Sequence, residues 1–255
     1  MAELKIDAVV FDVLGTLVDE PAGLRAGIRA LAPSLDGPGI ERLLLLWQRH
    51  IEREQRRVLD GDRPYLPSDA LDREAAGVVA AAAGGIVAGA GLVPEAAGVM
   101  DPAAVEEPAA VEEPAAVEEL ARSARRLPPW PDTVAGLARL AGHFPLIGLS
   151  NASRTALLEL NAHAGLRWHQ ALSAEDTRAY KPDPAVYRLA VTVAGRPPER
   201  LLMVAAHAWD LRGAQTLGLR TAYVARPVGD PPTASDRFDL YAEDLADLAG
   251  QLGVS

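Results

Sequence analysis

The sequence predicts an α/β fold, a parallel sheet flanked by helices with a helical insertion after its first strand, and two observations lead there. Short apolar, β-branched runs alternate with amphipathic helical patterns over most of the chain, and one long Ala-rich stretch interrupts that alternation. The first run, Ile6 to Phe11, stops at Asp12 and continues through Gly15 and Thr16, as a buried strand breaking into a loop does. Later runs behave alike. Phe144 to Leu149 ends at Ser150 and Asn151, Leu201 to Ala205 ends near His207, and Thr221 to Val224 ends near Arg226. Helical spacing fills the intervals at Thr133 to Ala141, Arg154 to Ala164, Asp183 to Ala194 and Asp210 to Leu217. Ligands of such sheets bind at the carboxyl ends of the strands, so the polar residues found there are the first candidates for chemistry.

Residues 21–128 carry no convincing strand run and read as an inserted helical cap, which leaves 1–20 together with 129–255 as the core. Inside the cap the hexapeptide PAAVEE occurs three times in tandem over 102–119. A solenoid needs longer units with an apolar face to stack, whereas these offer only Ala and Val between paired glutamates. The repeat therefore reads as a solvated linker or helix start. Gly84 to Gly91 and the neighbouring alanines suggest small-residue helix packing or local mobility, not chemistry.

Composition excludes several classes. A formal net charge of −10 supplies no basic footprint for nucleic acid or an anionic membrane. With no cysteine, disulfides, thiolate catalysis and thiolate metal sites are ruled out. Met1 to Asp7 is charged and runs directly into a strand, and no apolar stretch is long enough to span a bilayer, so a cytoplasmic location is expected.

Four pieces fall at strand ends: Asp12 with Thr16, Ser150 with Asn151, Lys181 within YKPDP, and His207 with Asp210. Each has a bland reading. A strand-end aspartate is commonly a cap or turn residue, Thr16 could cap the turn after the first strand, and Asn151 could be the N-cap of the following helix. Tyr180 and Trp209 read as packing residues with a polar tip. Lys181, between a tyrosine and Pro-Asp-Pro, has little packing rationale.

Taken in order, FDVLGTLVD, LSNAS, YKPDPAVY and VAAHAWDLRGA resemble the four motifs of the haloacid dehalogenase superfamily. The resemblance implies a Rossmann-like core, a cap grown after the first strand and an aspartyl-ester intermediate. Phosphatases of that superfamily hold Mg²⁺ with a second aspartate two residues after the nucleophile and with acidic residues in the fourth motif. Here those positions are Leu14 and Ala206. A metal-dependent phosphatase is therefore disfavoured, and no metal or cofactor is expected. The same positions resemble the type II 2-haloacid dehalogenases, in which a carboxylate displaces halide with inversion and water then opens the ester. Carried over, Asp12 is the nucleophile, Thr16 and Ser150 hydrogen-bond the nucleophile or the substrate carboxylate, Lys181 supplies positive charge, and Asp210 orients Lys181 and the hydrolytic water. Leu14, Gln48, Arg49, Asn151, Tyr180 and His207 are the candidate substrate-contacting residues.

Two positions depart from that pattern. Dehalogenases carry an arginine next to a tryptophan in the first cap helix, and here the stretch reads Leu46-Trp47-Gln48-Arg49, which puts Gln48 at the arginine position. Glutamine donates hydrogen bonds but lacks the charge and bidentate geometry of a guanidinium. Arg49 takes the role only if the helix register shifts. In the fourth motif, Ala205, Ala206 and His207 stand where several dehalogenases have serines and an asparagine, and His207 either positions water or is bonded to backbone. The expected partner is a small-molecule carboxylate, with no nucleic acid and no membrane, and a homodimer is compatible with the sequence. The competing readings are aspartyl-ester chemistry on another electrophile such as an epoxide, a Mg²⁺-dependent phosphatase, and a catalytically decayed binding protein.

Overall fold

The computed structural model describes residues 4–87 and 114–254. Strands β1 (Ala8–Phe11), β2 (Leu146–Ser150), β3 (Gln170–Ser173), β4 (Leu201–Ala205), β5 (Arg220–Val224) and β6 (Leu240–Ala242) form one sheet in the order β3-β2-β1-β4-β5-β6. Every pairing is parallel. The two central strands, β1 and β4, are buried along their whole length, which is why they appear in the sequence as unbroken apolar runs. Alternate residues serve the two faces: Val9 and Phe11 join one apolar cluster with Leu202 and Val204, and Ala8 and Val10 join the other with Leu201 and Met203.

Two strands carry no such run. β3 opens with exposed Gln170 and Ala171, and β6 spans three residues at the sheet edge, so neither buries enough apolar surface to stand out in the sequence. Helices α5 (Thr133–Ala141), α6 (Arg154–Ala164), α7 (Pro184–Ala194), α8 (Ala208–Gln215) and α9 (Leu245–Gln251) cover the sheet.

Between β1 and α5 lie α1 (Glu20–Leu31), α2 (Gly37–Leu59), α3 (Ser68–Val87) and α4 (Pro114–Ser123). Asp19 and Asp36 cap α1 and α2, accepting from the amides of Ala22 and Gly39 at 2.9 and 2.8 Å. The four helices bury a cluster of their own that includes Leu24, Ile28, Leu43, Trp47, Val79 and Leu120. In α2 the buried residues Ile40, Leu43, Leu44 and Trp47 recur at helical spacing, which puts Gln48 and Arg49 on the exposed side. Of the PAAVEE repeats, 102–113 lie outside the described residues, as do 88–91, and the third repeat begins α4. Among the described residues no helix is long and apolar enough to cross a membrane.

Candidate active site

Asp12 follows β1 directly, and the loop after it turns at Gly15, whose φ of +75° favours glycine. A Cβ there would approach His207 Nε2 to 2.7 Å, so the turn also needs the missing side chain. The loop is pinned from outside: Trp130 Nε1 donates to the Gly15 carbonyl, Arg226 Nε to that of Thr16, and Thr133 to that of Leu17, at 3.0, 2.8 and 2.8 Å. These contacts hold the strand end rigid before any ligand arrives.

Both carboxylate oxygens of Asp12 are engaged. Thr16 Oγ1 donates to Oδ2 at 2.6 Å, and Lys181 Nζ donates to Oδ1 at 2.9 Å. Thr16 itself accepts from the Ala206 amide at 2.9 Å, which orients its proton toward Asp12 and leaves the turn-cap reading without support. Lys181 Nζ donates also to Asp210 Oδ2 at 2.8 Å, and Tyr187 donates to Asp210 Oδ1 at 2.7 Å. The lysine side chain is 1 % exposed and those of Asp12 and Asp210 are 8 % and 0 %. An unpaired charge this deep would be costly, so the three groups depend on one another.

The electrostatics follow from that packing. Burial alone would lower the Lys181 ammonium, but the adjacent Asp12 and Asp210 outweigh it and its pKa is raised. Asp210 is raised by burial and by Asp12 against the pull of Lys181 and Tyr187. Burial and Asp210 push the Tyr187 phenol up, so it stays a donor.

Asn151 Oδ1 accepts from the backbone amide of Lys181 at 2.9 Å, and Ser153, not Asn151, caps α6 by accepting from Ala156 at 3.2 Å. Ser150 is fully buried and accepts from the Ala152 amide at 3.1 Å. His207 Nε2 stands 3.2 Å from the Leu14 carbonyl, to which it donates, and 4.0 Å from Asp12 Oδ2. Its backbone bond matches one of its two sequence readings.

A cavity of about 290 Å³ lies against Lys181, lined by Trp47, Gln48, Gln55 and Arg56 of α2, by Glu20, and by Trp209. Glu20, Ile51 and Gln55 also line a smaller void with Leu14, Asp72 and Asn151. Gln48 thus reaches the cavity. Arg49 is exposed and does not line it, because adjacent helical residues point about 100° apart. Tyr180 does not line it either: its ring is fully buried against Tyr65, 5.2 Å between centroids, and its hydroxyl donates to the Leu66 carbonyl at 2.7 Å. Sequence reasoning missed Tyr187 as a partner of Asp210, although it closes the YKPDPAVY motif. It missed Glu20, Gln55, Arg56 and Asp72 because nothing in a helical stretch marks which residues face a cavity. Among the described residues, no group of three or more His, Asp or Glu is placed to hold a metal ion.

The profile of the haloacid dehalogenase-like hydrolases matches residues 6–218. Among curated proteins, the chain is 34% identical over 110 residues to (S)-2-haloacid dehalogenase H-109 of Pseudomonas putida, covering 42% of this chain and 49% of that protein. The chain thus spans about half the length of the curated relatives it matches. Its structure is similar to that of an L-2-haloacid dehalogenase at 34% identity, TM-score 0.79, over 98% of this chain and 100% of the other. It is also similar to L-2-haloacid dehalogenase from Xanthobacter autotrophicus with chloropropionic acid covalently bound, at 26% identity and TM-score 0.73, over 97% and 98%. With four motifs gathered on one parallel sheet and a profile spanning most of its length, the chain belongs to the haloacid dehalogenase-like hydrolases.

Proposed function

We propose that the protein is a 2-haloacid dehalogenase in which Asp12 displaces halide from a small haloacid or haloacetate. The observation that carries this reading is the pairing of both Asp12 oxygens, by Thr16 and by the cavity-lining Lys181, with leucine two residues on at position 14. A carboxylate whose two oxygens each accept from one donor is fixed in orientation and keeps a lone pair for attack, and leucine at that position gives a phosphoester leaving group no acid and a metal no ligand. Attack by Asp12 forms the C–O ester bond and breaks the carbon–halogen bond with inversion; water then adds at the Asp12 carboxyl carbon and releases the hydroxy acid. Lys181 offsets the repulsion between nucleophile and substrate carboxylate, two of its three protons being engaged by Asp12 and Asp210. Asp210, held by Tyr187, fixes the lysine. The names of the relatives, one with chloropropionic acid covalently bound, support the same chemistry.

The test is halide release from L-2-chloropropionate, chloroacetate and fluoroacetate, with a phosphoester as control. Turnover of the phosphoester alone sinks the reading. Activity is expected to survive exhaustive EDTA treatment and to gain nothing from Mg²⁺, measured as halide release before and after chelation. Strict Mg²⁺ dependence would move the protein to the phosphatase branch.

Gln48 reaches the cavity where the family pattern has an arginine. Gln48→Arg is expected to raise kcat/KM for 2-haloacids by about 1–3 kcal/mol of transition-state stabilisation, the scale of a hydrogen bond to a charged group. Arg49→Ala is expected to change kcat/KM little. The opposite pattern in steady-state kinetics would assign the role to Arg49. The neutral Gln48 also favours a second reading, aspartyl-ester chemistry on an uncharged electrophile such as an epoxide, which takes the lead if no haloacid is hydrolysed.

A further inference from the structure

The loop that carries Thr16 runs straight on into the helices α1–α4, and this places a mechanical demand on it. Val18 is bridged antiparallel to Pro129, the Asp19 amide donates to the Pro128 carbonyl at 2.8 Å, and the Trp130 amide donates to that of Leu17 at 3.1 Å. The chain leaving for α1 and the chain returning from α4 thus pass side by side just beyond Thr16. A displacement of those helices pulls along Val18 on Thr16, whose hydroxyl has to stay on Asp12 Oδ2.

One side chain is placed to resist that pull. Arg226, in the segment after β5, donates from Nε to the Thr16 carbonyl and from Nη1 to Asp132 Oδ1, both at 2.8 Å. Its Cζ lies 5.8 Å from the centre of the Trp130 ring, whose Nε1 donates to the Gly15 carbonyl. Asp132, just before α5, is anchored in turn: its Oδ2 accepts from the Leu245 amide at the start of α9 at 2.8 Å. Burial would raise the Asp132 carboxyl, but Arg226 and the Leu245 amide outweigh it and hold the pKa below its ordinary value, so the pair is ionised.

Stability gives little reason for an arginine here. Its side chain is 6 % exposed, and Nη2 is buried with no hydrogen-bond partner among the described residues. An incompletely paired guanidinium at that depth costs free energy that a well-packed apolar side chain avoids. What the guanidinium supplies is geometry, since its rigid fork reaches the Thr16 carbonyl and Asp132 at once. With the Thr16 backbone held from behind and its Oγ1 accepting from the Ala206 amide, the hydroxyl proton is directed to Asp12. Resting on the dehalogenase reading, we propose that Arg226, held by Asp132 and Trp130, is a positioning residue that fixes Thr16, and through it the nucleophile Asp12, against movement of α1–α4.

Two measurements on the full-length protein test this. In kinetics with L-2-chloropropionate, Arg226→Ala should lower kcat on the order of 10- to 100-fold, the cost of a misplaced reacting group, with KM within about twofold of wild type. KM is spared because Arg226 does not line the cavity. In a Thr16→Ala background the same substitution should cost less than about threefold more, because the contact it serves is already gone. Arg226→Lys, which keeps a charge for Asp132 but not the fork, should show a smaller loss of the same sign and replaces the alanine variant if that fails to fold. Amide hydrogen exchange of the free protein gives a readout that needs no turnover. Ala206 donates to Thr16 Oγ1, whereas the Asp12 amide donates to the Val204 carbonyl of the neighbouring strand at 2.9 Å. Either Arg226 variant should speed exchange at Ala206 by about tenfold or more and leave Asp12 close to wild type. Losses that multiply in full on Thr16→Ala, a higher KM at unchanged kcat, unaltered exchange at Ala206, or equal acceleration at Ala206 and Asp12 would each overturn the assignment. Should the wild type turn over no haloacid, the dehalogenase reading falls, while the exchange comparison still decides whether Arg226 fixes Thr16.

Discussion

Asp12→Asn is expected to lower halide release by about four orders of magnitude or more while leaving the fold intact, the scale on which removing a nucleophile acts. The amide is isosteric, so Thr16 can still donate to its oxygen. One oxygen is replaced by a nitrogen that carries protons and no nucleophilic lone pair, and that nitrogen cannot accept from Lys181. Circular dichroism should stay close to wild type, because Lys181 keeps Asp210 as its partner, which separates lost chemistry from lost structure. Single turnover in ¹⁸O-water should place label first in the Asp12 carboxylate of the wild type. Label found in the product alone would mean direct attack by water and would remove Asp12 as the nucleophile.

Lys181→Ala should abolish turnover and also destabilise the protein, by about 3–5 kcal/mol, because it strands Asp12 and Asp210 without their shared cation. For a chain of this size that corresponds to a melting temperature lower by roughly 6–20 °C. The pH dependence has a defined sign. Without the ammonium, Asp210, whose pKa burial already raises, loses the cation that pulls it down, so the folded variant binds more protons than the unfolded one. Its deficit is therefore full above that raised value and shrinks as the pH falls through it. Thermal melts of variant and wild type from pH 7.5 to pH 5 measure it. A deficit independent of pH would show that lost packing of the lysine stem, not stranded charge, is responsible.

The candidate site residues come from four separated stretches of chain, and three of the four were legible in advance for the same reason. A parallel sheet buried on both faces forces its strands to be apolar, so a polar residue at the end of such a run stands out. Asp12, Ser150 and Asn151, and His207 with Asp210 all mark strand ends this way, and Lys181 is flagged by the proline-bracketed turn before α7. The edge strands β3 and β6 were not legible, since a strand exposed on one side has no unbroken apolar signal.

By itself, then, the sequence determined the α/β class, the helical run that follows β1, the order of the four motifs, and the substitution of leucine where a metal site would need a carboxylate. These are local properties, set by hydrophobic periodicity and residue identity. Which atoms meet was decided by tertiary structure alone: that Thr16 is oriented by the Ala206 amide, that Tyr187 reaches Asp210, that Gln48 and not Arg49 lines the cavity, and that Glu20 lines it too. The physical reason is that helix–sheet packing sets the rotation of each helix about its axis, and that rotation depends on contacts more than a hundred residues apart in sequence, such as Trp130 with Gly15 and Tyr180 with Leu66.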